Sequence, residues 1–313
     1  MTQAHPTPTP NPAYVGRFAP TPSGPLHFGS LLAAVGSYLE ARSRGGAWRV
    51  RMEDIDRPRV QPGAAEGIVR ILDALGMAWD GEILYQSQRD EAYREALREL
   101  ERLGAVYPCA CTRKEIADSS LGGPAGPVYS GACRQGLSSR RAPCAARVRT
   151  VADVLVFDDS LQGRIAQSVE REVGDFVVRR ADGQFSYQLA VVVDDAEQGI
   201  SDVVRGIDLI DSTPRQIYLQ SLLGLPTPSY LHLPVAVNGR GEKLSKQTRA
   251  PAVSCQDPVA TLCRTMRFLR QEPPPGLEGE SLDAFWQWAI AHWQPQRLQG
   301  VRSIVLTDAE ALA

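Results

Sequence analysis

The chain has 313 residues, 43% of them hydrophobic, and a formal net charge of -2 from 34 Lys and Arg against 36 Asp and Glu. That size accommodates two domains, or one large domain with an insertion, around a sizeable core. The near-neutral balance argues against a protein that coats long nucleic acid, while leaving room for a local basic face that grips one RNA stem.

The opening MTQAHPTPTPNPA is rich in Pro and Thr and has no apolar h-region, so residues 1–13 read as a disordered tail and not as a signal peptide or anchor. No apolar run approaches the ~18 residues of a membrane span, the longest being LAVVV from Leu189 to Val193, so a cytoplasmic location and no membrane partner are expected. AYVGRF then predicts a short buried strand, followed by the loop APTPSGPLHFG. Ser30 is the expected cap of a helix reaching about Ser43, with Leu31, Leu32, Val35, Tyr38 and Leu39 on one face and Gly45-Gly46 at its end. WRVRM alternates as a second strand and breaks into EDIDRPR, which completes a βαβ unit and implies a parallel sheet. Two helices follow, PGAAEGIVRILDALG with Pro62 near its first turn and QRDEAYREALRELERLG with Tyr93, Leu97 and Leu100 on one side.

From Tyr107 the character changes to a loop-rich stretch and then short strands, which reads as an insertion over 107–184 between two halves of the sheet, 14–106 and 185–250. FSYQLAVVVDD predicts a core strand, VRGIDLIDSTPRQIYLQSLLG a helix bearing Ile217 and Leu222, and VNGRGEKLSKQTRA a loop. Residues 251–313 read as a short helical C-terminal region built on PVATLCRTMRFLR and LDAFWQWAIAHW. Trp286, Trp288 and Trp293 there are expected to pack and not to stack on bases. Arg264, Arg267 and Arg270 fall three apart and would form one basic stripe, either solvated or facing an RNA backbone.

In an open parallel sheet, ligands bind beyond the carboxyl ends of the strands, and a helix N-terminus there offers amides and partial positive charge to phosphate. Gly24 and Gly29 let backbone approach a ligand, and His27 adds a donor. A nucleoside triphosphate fits such a loop without a Walker-type motif; a tight turn around a satisfied histidine is the plain alternative. Lys243 and Lys246 of GEKLSK, ordinary solvated lysines if taken alone, complete a different chemistry with that loop. When a carboxylate attacks the α-phosphate of ATP, charge builds on the phosphorane and the leaving pyrophosphate, where lysines favour the transition state over the ground state.

PLHFGS resembles the HIGH motif and KLSKQ the KMSKS motif of the class I aminoacyl-tRNA synthetases. RFAPTPSGPLHFGS, RMEDIDRPR, YQSQR, VVRGIDL and KLSK, in that order from about Tyr14 to Lys246, resemble its glutamyl branch. The resemblance implies a Rossmann-type α/β fold with an inserted zinc-binding subdomain. It implies that Arg17, Ala19, Thr21, Glu53, Tyr187 and Arg205 line a glutamate pocket, in which two arginines suit a doubly anionic substrate and a carboxylate suits its ammonium. Which arginine takes the side-chain carboxylate stays open. Pro20, Gly24, His27, Gly29, Ser30 and Lys246 would hold ATP, accompanied by Mg2+, with His27, Lys243 and Lys246 as the catalytic groups. Ser30 replaces the second His of HIGH, as is usual in this branch, and Gln247 removes a possible phosphate donor at the last KMSKS position.

The chain ends soon after Gln247, without room for the anticodon-binding region of a full-length glutamyl enzyme. It therefore resembles a truncated glutamyl paralogue, which activates L-glutamate with ATP without tRNA and then attaches it to queuosine at the wobble position of tRNA(Asp). A monomer is the expected form. A conventional enzyme charging a tRNA 3′ end, and an inactive RNA- or amino-acid-binding module, are the alternatives.

Of six cysteines, Cys109, Cys111 and Cys133 flank one loop, and in a chain this large metal or burial is expected over disulfides. Tetrahedral zinc needs a fourth ligand. The resemblance assigns it to Tyr129 in YSGAC, while Cys144 is chemically easier, since a phenol with a pKa near ~10 must be deprotonated by the metal. Cys255 and Cys263 read as ordinary residues.

Overall fold

The computed structural model describes residues 11–119, 121–123, 126–137, 145–243 and 253–306. Most of the expected N-terminal tail, Cys144, Lys246 and Gln247 lie outside the described residues.

The first βαβ unit forms as its sequence predicts: β1 (Asn11–Phe18), α1 (Phe28–Ser43) and β2 (Gly46–Met52), with β2 parallel to β1 and the short β3 (Leu84–Tyr85) parallel to β2. α1 is buried from Leu31 to Ala41 except at Ala33, wider than the single apolar face expected, because it lies between the sheet and the C-terminal helices. Between β2 and β3 runs α2 (Ala64–Ala74), which starts after Gly63 and leaves Pro62 just outside it. α3 (Asp90–Arg102) buries Tyr93, Leu97 and Leu100 as expected.

The 107–184 segment contains β4 (Val106–Cys109), α4 (Arg113–Ser119), the hairpin β5 (Leu121–Gly123) and β6 (Gly126–Val128), and β7 (Ala145–Val148). It continues with β8 (Val154–Asp159), β9 (Gly163–Ser168), α5 (Val169–Glu172) and β10 (Val177–Arg179). β10, β7 and β4 form a small antiparallel sheet. FSYQLAVVVDD is not a strand: it enters α6 (Tyr187–Glu197), whose N-terminus Ser186 caps by accepting from the Leu189 amide at 3.4 Å. A five-residue apolar run suits a buried helix as well as a buried strand, and burial between α3 and the following helix decides for the helix.

The second half continues with β11 (Asp202–Gly206), α7 (Thr213–Leu223), β12 (Ser229–Leu233) and β13 (Val235–Val237). Strand order is β11-β12-β8-β9, so β8 hydrogen-bonds to β12 of this half and β9 pairs antiparallel with β8; β11, β12 and β8 are parallel. Val15 of β1 accepts from the Ser201 amide at 3.0 Å and donates to the Ser201 hydroxyl at 2.8 Å, which sets β1 beside the start of β11. The C-terminal region is not purely helical. After α8 (Pro258–Phe268) and α9 (Leu282–His292) it returns as β14 (Ser303–Val305), parallel to β13.

Trp286 and Trp293 pack as expected: Trp286 donates to the Leu75 carbonyl at 2.9 Å and Trp293 to the buried Glu40 carboxylate at 2.8 Å, while Trp288 is partly buried against the same core. The expected arginine stripe does not form. Arg270 falls beyond α8 in left-handed backbone (φ 55°), Arg264 is half-buried, and Arg267 pairs with Glu278 at 2.6 Å.

Candidate active site

The site lies at the carboxyl ends of β1, β2 and β11, where a parallel sheet leaves a crevice. Arg17 is the penultimate residue of β1 and is buried. Its Nε donates to Asp195 Oδ1 at 3.2 Å, and the same oxygen accepts from Arg51 of β2 at 2.7 Å. Glu53 follows β2 directly, 3.7 Å from the Arg51 guanidinium, and its amide donates to the Pro20 carbonyl at 2.9 Å, which clips the loop after β1 onto the end of β2. Burial pushes the Glu53 carboxyl up to about 7, against the downward pull of Arg51 and Arg17.

From the other half, Arg205 of β11 donates to the Tyr187 hydroxyl at 3.2 Å. Burial raises the Tyr187 phenol, and the charges of Arg205, Glu53 and Arg17 all reach it. Arg17, Glu53, Tyr187 and Arg205 therefore share one electrostatic neighbourhood although they span nearly two hundred residues of chain. Ala19 and Thr21 leave the end of β1 half-buried beside them.

The loop then reaches α1, whose cap is His27 and not Ser30. His27 is extended (φ -107°, ψ 166°) and its Nδ1 accepts from the Ser30 amide at 3.3 Å. With Nδ1 accepting, a neutral ring carries its proton on Nε2, 3.1 Å from the Ser30 hydroxyl. The imidazole is thus a donor at the helix N-terminus, where positive potential favours phosphate. Gly24 is buried at φ 133°, a conformation that requires glycine, whereas Gly29 sits in the first turn of α1 and supplies an amide. Two described contacts tie the KLSK loop's flanks to this region. Val253 donates to the Leu26 carbonyl at 2.9 Å, next to His27, and Lys243 pairs with Asp208 at 2.5 Å.

Sequence reasoning missed the acidic pair that holds the site together. Asp195 bridges Arg17 and Arg51, and fully buried Asp194 accepts from Gln86 and Tyr93 at 2.8 Å and from Arg89 at 2.7 Å. YQSQR is thus anchored to α6. The signal was present as the DD of VVVDD, but assigning that stretch to a strand hid it: a strand points neighbours to opposite faces, whereas a helix buried on most sides encloses both.

The cysteines converge as well. The Cys109, Cys111 and Cys133 sulfurs lie within 4.8 Å of one another. The Tyr129 hydroxyl is 3.4 Å from Cys109 Sγ and 3.4 Å from Cys111 Sγ, and accepts from the Cys133 amide at 3.0 Å. Burial raises Cys111 to about 11; at Cys133 burial is outweighed by hydrogen bonds from the Ala110 amide and its neighbours, which bring it down to about 7. Arg147 lies 3.9 Å over the Tyr129 ring and donates to Cys109 Sγ at 3.4 Å. Cys255 and Cys263 stand apart from this cluster.

Residues 14–259 match the family of class I tRNA synthetases (E and Q), catalytic domain. The "Glutamyl-Q tRNA(Asp) synthetase" of Dechloromonas aromatica is 59% identical over 285 residues, 90% of this chain and 95% of that protein. The protein of the same name from Aromatoleum aromaticum is 54% identical over 292 residues, 92% of each chain. The chain belongs to the glutamyl-Q tRNA(Asp) synthetase family. It is a class I aminoacyl-tRNA synthetase-like ligase. The fold has the same relationship: the glutamate-tRNA synthetase of Elizabethkingia anophelis superposes with a TM-score of 0.78 at 21% identity, covering 95% of this chain and 69% of that one. In this synthetase no helix among the described residues is long and apolar enough to cross a membrane.

Proposed function

We propose that the protein activates L-glutamate with ATP, without tRNA, and transfers it to queuosine at the wobble position of tRNA(Asp). The observation that supports this most is that the charges of Arg205, Glu53 and Arg17, from the carboxyl ends of three parallel strands, all reach the Tyr187 hydroxyl. Two guanidiniums suit the two carboxylates of glutamate, and Glu53 suits its ammonium. Ala19 and Thr21 complete the wall. Pro20, Gly24, His27, Gly29 and Ser30 cradle the nucleotide, with Mg2+ on its phosphates. The substrate α-carboxylate attacks the α-phosphorus, pyrophosphate leaves, and the His27 imidazole with Lys246 and Lys243 stabilises the charge on the phosphates. A queuosine hydroxyl then attacks the adenylate carbonyl, forming the ester and releasing AMP.

Pyrophosphate exchange with ATP and glutamate in the absence of tRNA tests the first step. Transfer to tRNA(Asp) with and without queuosine tests the second. Equal transfer to both tRNAs would establish conventional 3′-end charging, and no exchange at high enzyme concentration would establish a binding module.

The position of Glu53 gives a pH dependence. In the free protein its carboxyl protonates near about 7, yet it must be ionised to hold an ammonium. Below that value glutamate binding has to expel a proton, so the KM for glutamate should rise about tenfold per pH unit and level off above it, with the KM for ATP unchanged. The same burial penalises folding in the opposite direction: the cost is absent below the ordinary carboxyl value of 4.5, grows as pH rises, and is complete above about 7. Calorimetry in buffers of different ionisation enthalpy should detect proton release at acid pH only. A flat glutamate profile from pH 5.5 to 8 would rule out this role.

Cys109, Cys111, Cys133 and Tyr129 are proposed to hold one structural Zn2+. A tetrahedral ion with bonds of ~2.3 Å sets its sulfurs roughly 3.8 Å apart. The Cys111 and Cys133 sulfurs stand at 3.4 Å, so small adjustments suffice. Zinc supplies cross-linking here, closing an irregular segment with little core of its own. Metal analysis should find one zinc per chain, and Cys133→Ser or chelation should lower Tm while leaving glutamate-dependent exchange in place. An unchanged Tm after complete metal removal would contradict a structural role.

A further inference from the structure

Behind Arg205, away from Tyr187, lies a chain of buried polar groups. Parallel register places Arg205 of β11 directly opposite His232 of β12, and Tyr230, two residues earlier on the same face, opposite Asp159 at the end of β8. His232 Nδ1 lies 2.6 Å from Asp159 Oδ2, and both side chains are 0% exposed. His232 Nε2 lies 3.1 Å from Arg205 Nε and 3.3 Å from the Thr213 hydroxyl. Thr213 also accepts from the Arg205 guanidinium at 2.8 Å.

These contacts determine the protonation of the ring. Guanidinium has donors and no acceptor, so Nε2 must present its lone pair to Arg205. The single ring proton therefore sits on Nδ1, directed at the Asp159 carboxylate. Asp159 cannot turn away, because its Oδ1 accepts from the amides of Leu161 at 3.0 Å, Gln162 at 2.8 Å and His232 at 3.3 Å. The carboxylate is pinned by backbone, the imidazole by the carboxylate, and the arginine by the imidazole.

We infer that Asp159 and His232 are positioning residues, which fix the tautomer and plane that aim the Arg205 guanidinium at a substrate carboxylate. The inference rests on the reading of Arg205 as a glutamate ligand. A neutral imidazole suits this place: it accepts from the guanidinium without adding a second positive charge, and it links the negative charge of Asp159 to Arg205. Nε is held by His232 and Nη2 by Thr213 and the Leu209 carbonyl at 3.3 Å, so the Nη1 edge, which donates to Tyr187, is the one we assign to the carboxylate.

Three substitutions separate the roles. In Asp159→Asn the amide oxygen remains with the three backbone donors, which leaves NH2 facing His232 Nδ1. The ring proton must then move to Nε2, where it opposes the Arg205 N–H. His232→Leu removes the acceptor outright. His232→Gln can still place an oxygen near Arg205 Nε. By the usual scale of such outer-shell partners, Asp159→Asn and His232→Leu should raise the KM for glutamate about ten- to a hundredfold, with the KM for ATP within about twofold. His232→Gln should recover most of the loss, to within about threefold of the parent protein.

A second readout is independent of activity. The chain has only four histidines, so long-range nitrogen–proton NMR of the unaltered protein can assign His232. A neutral ring protonated on Nδ1 is expected, and Asp159→Asn should shift the proton to Nε2. An imidazolium, or an Nε2-protonated ring, in the unaltered protein would overturn the inference even if the Leu and Asn variants fail to fold. So would a joint change in both KM values, or an unchanged glutamate KM in folded variants. Loss of glutamate-dependent exchange from the unaltered protein would instead sink the glutamate reading, while the NMR result still decides the tautomer.

Discussion

Asp195→Ala is expected to destabilise the fold by about 3–5 kcal/mol, the scale for removing one partner from a buried ion pair. Arg17 is 3% exposed and Arg51 0%, and both guanidiniums converge on one Asp195 oxygen. The cost comes less from the lost attraction than from two buried cations left with too little counter-charge. Glu53 cannot compensate fully, standing 3.7 Å from Arg51 with burial favouring its neutral form. Arg51 keeps one good contact, to Gln198 at 2.8 Å, which is why misfolding is not the expected outcome. Urea titration should show an earlier midpoint, and the KM for glutamate should rise as Arg17 loosens. By contrast, Glu197→Ala should cost no more than about 1 kcal/mol, since the Glu197 carboxylate is exposed and Arg89 keeps its pair with buried Asp194. An Asp195→Ala protein within about 1 kcal/mol of its parent would mean that water or backbone replaces the carboxylate, and the network would lose its structural role.

The parts of the molecule legible in the sequence are those where local pattern and tertiary demand agree. β1, α1 and β2 each carry their own signal, and pattern alone sets the loop between β1 and α1 at a strand's carboxyl end. LAVVV has the β-branched composition of a strand, yet it lies in α6; its helical state is set by burial against α3 and α7, which no local window contains. The cap of α1 falls three residues before the one that propensity predicts, for a related reason. Ser30 is the better capping residue by propensity, yet the proline-rich loop delivers His27 in the extended conformation a cap requires. The arginine stripe assumed that α8 continues to Arg270, whereas the helix ends at Phe268. Least legible was the Asp159–His232–Arg205 chain. Its members come from three strands, and only the register between β8, β12 and β11 brings them together.

Lys246→Ala should lower the rate of glutamate-dependent exchange about 10²–10³-fold while leaving glutamate affinity nearly unchanged, equivalent to roughly 3–4 kcal/mol of barrier. Lys246 lies outside the described residues. The loop leaves from Val237 and Lys243, which pair as an isolated bridge, and comes back at Val253 on the Leu26 carbonyl, one residue from the cap of α1. We propose that Lys246 contacts the phosphates of ATP. Attack by the glutamate carboxylate moves negative charge from the reacting phosphorus onto pyrophosphate, so a cation there gains more in the transition state than in the ground state. That predicts a fall in kcat with little change in KM for glutamate. Lys243→Ala should matter less. Its ammonium already pairs with Asp208 at 2.5 Å, so contact with a phosphate exchanges one anionic partner for another. Exchange kinetics read the first effect and calorimetry with glutamate alone reads the second. Normal exchange in Lys246→Ala would remove the lysine from catalysis, and lost glutamate binding in a folded variant would move its role from the phosphates to the amino-acid pocket.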